Sequence, residues 1–185
     1  VRAAILLLVS LAAACGSGDD DAAPAADAAS SAIDAAGMDA ANTDGVVLLT
    51  YRDGSAELPL AYLGYQRSGD TITELYVELS NMEEPGCPSA DSPIPDQLMT
   101  VSGFAGADPA TRTFDDGVRV SFFDFAGTLR DEIEPAAATA ATVTVTAHDE
   151  GAGTAEATVN VTFGDDGSAV GSLVATHCDS LDTTE

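Results

Sequence analysis

The chain has 185 residues, with Asp+Glu 31 against Lys+Arg 6 and a formal net charge of −25. That length implies one domain plus extensions, and that charge repels nucleic acid and anionic headgroups, excluding both as partners of a folded region. Tryptophan is absent, so the usual sugar-stacking platform is missing, which argues against a carbohydrate-binding module.

Arg2 followed by the apolar run 3–14 lays out a short basic n-region and an h-region ending in small residues, the pattern of a secretory signal over residues 1–14. At about 1.5 Å per residue the run makes a helix of roughly 18 Å, short of the ~30 Å of a hydrocarbon core, so a permanent span is not expected. Ala12-Ala13-Ala14 offers an A-x-A-like cleavage site, and on that reading alone the protein is simply secreted. Leu11-Ala12-Ala13-Ala14-Cys15, however, resembles the lipobox of bacterial lipoproteins, with Ala12 where the commonest version carries leucine and that leucine one place earlier. The resemblance implies that Cys15 receives a diacylglyceryl group, that the precursor is cut before it, and that the new amino terminus accepts a further acyl chain. The chemistry is consistent, since a thiol is a natural nucleophile. At about 0.8 kcal/mol per buried methylene one chain holds only marginally, whereas two or three make a stable anchor. Gly16 stands where some lipoproteins carry an aspartate that retains them at the inner membrane. By that resemblance the expected place is the cell envelope, with the outer membrane favoured.

Residues 15–45 hold the lipidation site and then an Ala/Asp/Gly-rich stretch whose only larger apolar residues are Ile33 and Met38. Such a segment cannot bury enough surface to offset chain entropy and is expected to be a disordered tether. It spans an r.m.s. distance of roughly 30 Å as a flexible coil and about 100 Å at full stretch. Its composition resembles the tethers of lipoproteins from myxobacteria and their relatives.

From residue 46 the texture changes to short β-branched and apolar runs punctuated by Gly, Pro, Asp and Asn. Strands are expected over 46–52, 60–66, 71–80, 98–104, 118–125, 142–148, 157–163 and 169–177. Leu75, Val77 and Leu79 fall on one face with Tyr76 and Glu78 on the other, and Val143, Val145 and Ala147 oppose Thr142, Thr144 and Thr146. Phe163-Gly164-Asp165-Asp166-Gly167-Ser168 is a hairpin signal, and the last three strands read as a meander. The segment 131–141, DEIEPAAATAA, is the place for a short helix or an edge excursion. The expected fold is therefore mainly β: a single antiparallel β-sandwich or barrel over 46–185, preceded by signal peptide and tether.

With Cys15 assigned to lipid, Cys87 and Cys178 remain as an even pair in an oxidising compartment, and a disulfide is expected between them. Closing a loop of that size stabilises a fold by ~4.5 kcal/mol in the chain-entropy treatment. It would pin the proline-rich loop 81–96 to the final strand.

No Gly-x-Ser-x-Gly, His-Glu-x-x-His, Cys-x-x-Cys, P-loop or dinucleotide motif occurs. His148, followed by Asp149 and Glu150, and His177, followed by Cys178 and Asp179, could meet across the meander as a histidine/carboxylate site, although strand-end histidines are the plainer reading. Glu83, Glu84, Asp91 and Asp96, or Asp165 and Asp166, could supply oxygens to calcium. Without an ordered ligand spacing these acids read as turn formers and a solvated surface, so neither a catalytic residue, a metal nor a cofactor is assigned. Tyr62, Tyr65, Phe122 and Phe123 are core aromatics or exposed binding ones. The resulting expectation is a lipid-anchored envelope protein with a non-catalytic binding or structural domain, to which a basic envelope protein would be steered. The alternative is a small extracytoplasmic hydrolase or a calcium-dependent domain.

Overall fold

A computed structural model describes residues 45–82, 86–132 and 134–184. Residues 1–44, which hold the expected signal peptide, Cys15 and all but the last residue of the expected tether, lie outside the described residues, as do Glu83 and Glu84.

The chain runs through β1 (Val47–Tyr51), β2 (Gly54–Leu58), β3 (Leu60–Ser68), β4 (Thr71–Ser80), β5 (Gln97–Ala105), β6 (Ala110–Thr113), β7 (Arg119–Asp124), β8 (Ala136–Ala137), β9 (Ala140–Asp149), β10 (Thr154–Thr162), β11 (Gly167–His177) and β12 (Thr183–Thr184). Single 3₁₀ turns sit at Phe114–Asp116 and Asp179–Leu181. All twelve strands belong to one sheet, in the order β6-β9-β10-β11-β3-β4-β5-β7-β8, with β1 and β2 branching from β11 and β12 lying along β3. The expectation of a mainly β, sandwich or barrel-like domain is met.

The long strand β11 makes the sheet double over. Its first half pairs antiparallel with β1, while at its far end Thr176 and His177 run parallel beside Tyr62 and Leu63 of β3. One half of the sheet is thus β6-β9-β10-β11-β1-β2 and the other β3-β4-β5-β7-β8. Side chains of both halves, among them Leu63, Leu75 and Phe104 facing Val145, Val159 and Leu173, close around an apolar void of about 20 Å³. Alternation supplies this core directly: in β10 Ala155, Ala157, Val159 and Val161 are buried while Glu156, Thr158, Asn160 and Thr162 are exposed. At one end of the core Tyr51, Phe122 and Phe163 pack ring against ring, with centroids 5.4–6.1 Å apart.

Four strands escaped the sequence pattern. β2 and β6 carry Ser, Glu, Thr and Arg rather than apolar runs, and β8 and β12 are two residues each. The segment 131–141 proves to be an edge excursion, where β8 touches β7 and Thr139 N–H then donates to the Thr162 carbonyl. The meander β9-β10-β11 and the turn at Gly164 stand as expected.

Register slips at three points, each adding a residue to one strand. In β5 the irregular stretch includes Gly103, whose φ is +75° and where a Cβ would collide with the Gly117 carbonyl oxygen. Only glycine fits there.

Candidate functional site

Tyr65 occupies an inward position of β3 and is 1 % exposed. His177 stacks on its ring at 4.3 Å between centroids and 17° between planes, and His148 meets it edge-on at 5.7 Å and 87°. His148 Nε2 lies 3.2 Å from the Tyr65 hydroxyl, and the Arg67 guanidinium sits 4.9 Å from the ring centroid, held by Glu150 at 3.0 Å. The two histidines do meet, with a tyrosine between them.

His148 reaches this position through a slip in register. On unbroken alternation Ala147 would face the core and His148 the solvent. Val145 instead stands opposite Ala157 and Ala147 opposite Glu156, so Thr146 is an inserted residue. The parity of the strand reverses after it. Ala147 is turned out, which corrects the expected Val143/Val145/Ala147 face, and His148 comes to lie opposite the buried Ala155.

His177 closes β11. Its N–H donates to the Gly153 carbonyl, and the next N–H, that of Cys178, donates to the carbonyl of Leu63. The 3₁₀ turn then wraps Asp179 and Asp182 around the imidazole, with Nδ1 3.6 Å from Asp179 Oδ1 and Nε2 2.9 Å from Asp182 Oδ1. Asp182 Oδ1 also accepts the Tyr65 N–H at 2.8 Å. The turn presses onto β3 at Gly64, where a Cβ would stand 2.5 Å from the Leu181 carbonyl oxygen. A Cys87–Cys178 disulfide, with Cα atoms 5.4 Å apart, ties the same turn to the loop after β4. The expected pairing is present, and it pins that loop as expected.

Burial pushes the Tyr65 phenol above its ordinary range, the Glu150 carboxylate adds to the effect, and Arg67 opposes it. The phenol is therefore a neutral hydrogen-bonding group at neutral pH, sealed from solvent. His177, Asp179 and Asp182 bring potential ligand atoms within 4.8 Å of one another. The two carboxylates address opposite nitrogens of one imidazole. Asp182 Oδ1 is already spent on Tyr65 and His177. The arrangement fastens the carboxy-terminal segment to β3.

Other expected ligands are dispersed. Asp166 serves the hairpin, its carbonyl accepting Arg52 N–H and its carboxylate lying 3.7 Å from Arg52 Nε, while Asp165 is exposed. The Asp96 carbonyl accepts the N–H groups of Phe125 and Ala126. Among the described residues the loop acids and the hairpin acids do not come together as an ion site. Tyr62, Tyr65 and Phe122 are buried, and Phe123 is half-buried and stacked on Phe125 at 5.8 Å. Asp182 was not anticipated: an aspartate in SLDTTE carries no spacing signal, and its role exists only once the turn has folded onto β3.

Comparison with protein-family models, with curated proteins and with solved structures gives no match to this chain.

Proposed function

We propose that the protein is a lipid-anchored component of the bacterial cell envelope whose β domain is a non-catalytic binding or structural module. The observation that carries this reading is the Cys87–Cys178 disulfide. It fits an oxidising, extracytoplasmic compartment, and of the chain's three cysteines it leaves Cys15, in LAAAC, to accept lipid. The tether would let the domain stand clear of the headgroups, on the outer membrane more readily than the inner by the resemblance at Gly16. Its acidic surface would steer a basic envelope protein to it.

The intact mass of protein purified from membranes tests the anchor. A chain beginning at Cys15 with two or three acyl groups is expected, and an unmodified chain would sink the reading. In intact cells, crosslinking should capture a partner that Cys15→Ala, by freeing the protein, loses.

A second reading, a small histidine-dependent hydrolase, draws on the convergence of His148 and His177 at Tyr65. It requires His177→Ala to abolish a turnover while leaving thermal stability intact. Because the imidazole joins Asp182 to the Tyr65 ring, we expect the opposite, a lowered melting temperature with no activity to lose.

A further inference from the structure

The outer surface of the half-sheet β3-β4-β5-β7 carries a groove of about 220 Å³ between the disulfide-tied loop and the strands. Its walls are apolar, formed by Met82, Pro93, Ile94, Pro95, Leu98 and Phe125. Ile94 is 74 % exposed and Phe125 53 %, two of the large apolar residues this highly charged molecule leaves in water. Ile94 stands on a loop held at Cys87, and Phe125 is fixed by its stacking on Phe123 and by its N–H bond to Asp96. Phe125 is thus a positioned side chain, which lowers the entropic cost of binding.

Glu78, Ser80, Ser89 and Ser92 are the polar part of the lining, and the hydroxyls of Ser89 and Ser92 hydrogen-bond to each other. Ser80 Oγ is buried, at 2 % exposure for the residue, and no group among the described residues hydrogen-bonds to it. The Glu78 carboxylate accepts the Tyr76 hydroxyl at 2.8 Å, yet among the described residues no arginine or histidine pairs with it. A carboxylate beside apolar walls, with Asp91 in the adjoining loop and a chain charge of −25, makes the surroundings anionic. That polarity turns away anionic membrane surfaces and attracts cations.

We propose that this groove docks an extended segment of a cationic partner protein. An aliphatic side chain enters between Ile94, Leu98 and Phe125, and a neighbouring lysine or arginine pairs with Glu78. The assignment rests on the reading of the domain as a binding module and is independent of the anchor. It adds where the partner binds and which chemistry it presents.

The test follows the methyl signals of Met82, Ile94 and Leu98 by NMR in the full chain carrying Cys15→Ser. The probe is acetyl-leucyl-lysine amide, with acetyl-leucyl-glutamate amide and acetyl-seryl-lysine amide as comparisons. The leucyl-lysine probe should give saturable shifts confined to the groove, with a Kd on the order of 1 mM for a ligand of this size. The two comparison probes should bind at least several-fold more weakly, and Glu78→Gln should erase the preference for lysine over glutamate while the spectrum elsewhere stays unchanged. Absence of shifts with leucyl-lysine, equal shifts with leucyl-glutamate, or groove shifts produced by phosphatidylglycerol vesicles instead would overturn the proposal. A crosslinked envelope partner mapped to another face would overturn the groove while leaving the binding-module reading standing. Failure to capture any partner would remove that reading itself.

Discussion

The two halves of the sheet share one core but present opposite outer faces. On β6-β9-β10-β11 the outward positions form registered rows, Thr111-Thr144-Thr158-Ser172 in one and Thr113-Thr142-Asn160-Val170 in the next, polar throughout except for Val170. Thr111 and Thr144 hydrogen-bond at 2.9 Å between hydroxyl oxygens, and Thr142 and Thr158 stand exposed to water. On β3-β4-β5 the outer face is instead buried in part: the Gly86 N–H donates to the Tyr62 hydroxyl oxygen, Gly64 lies under Leu181, and Ser80 is sealed. One half is finished by threonine and solvent. The other is finished by a loop and a carboxy-terminal turn, fastened by a disulfide, an aspartate and a histidine.

The difference predicts unequal sensitivity, greatest where the cover is tied down. Cys87→Ser with Cys178→Ser opens a loop with a sequence separation of 91. The chain-entropy relation puts the loss at about 4–5 kcal/mol, read as a lower urea midpoint. Equal urea midpoints for the double variant and the parent would mean that the covered half holds its loop without the bond. Gly64→Ala comes next, since its Cβ would meet the Leu181 carbonyl oxygen at 2.5 Å and the Leu181 side chain at 2.6 Å. Over-packing costs of about 1–3 kcal/mol are expected. Hydrogen exchange should localise the damage to 178–184 and leave β9 and β10 protected.

The same contrast explains what could be read from the sequence. TVTVT and TVNVT alternate because one face of β9 and β10 meets water, and in β9 that alternation was read from the sequence. LAYLGYQ reads as a nearly continuous apolar run because both faces of β3 are covered, and its burial from Ala61 to Tyr65 is unbroken. The run identifies a strand without saying what lies on its second face. The site depended on features with no local signature: the inserted Thr146 that turns His148 inward, and the fold-back that sets Asp182 against Tyr65 and His177. β2 and β6 were missed because their neighbours, not their composition, make them strands.

Asp124, at the end of β7, gives a smaller and pH-dependent effect. Burial works against its charge, but hydrogen bonds from the Leu129 N–H, the Gln97 amide and the Arg130 N–H outweigh it and hold the carboxyl below its ordinary value. A pKa lower in the folded than in the unfolded state means stability present above about pH 4, the unfolded value, and lost as pH falls through the folded one. Asp124→Asn should therefore flatten the acid limb of a stability–pH curve and cost less at neutral pH than Gly64→Ala. An unchanged acid limb would show that Asp124 does not organise the 124–130 bend.

The smallest effect belongs to the open half. Thr158 is exposed, with Thr144 and Ser172 beside it in the row. Thr158→Ala should shift stability by no more than ~0.5 kcal/mol. Leu173, one residue from Ser172 in sequence but 2 % exposed on the core side, should cost about 2–5 kcal/mol when cut to alanine. The pair isolates the two faces of the same half-sheet with position along the strands held nearly constant. If Thr158→Ala were as damaging as Leu173→Ala, the outer face would be bearing load as the covered half does, and the contrast between the halves would fail where it is drawn most sharply.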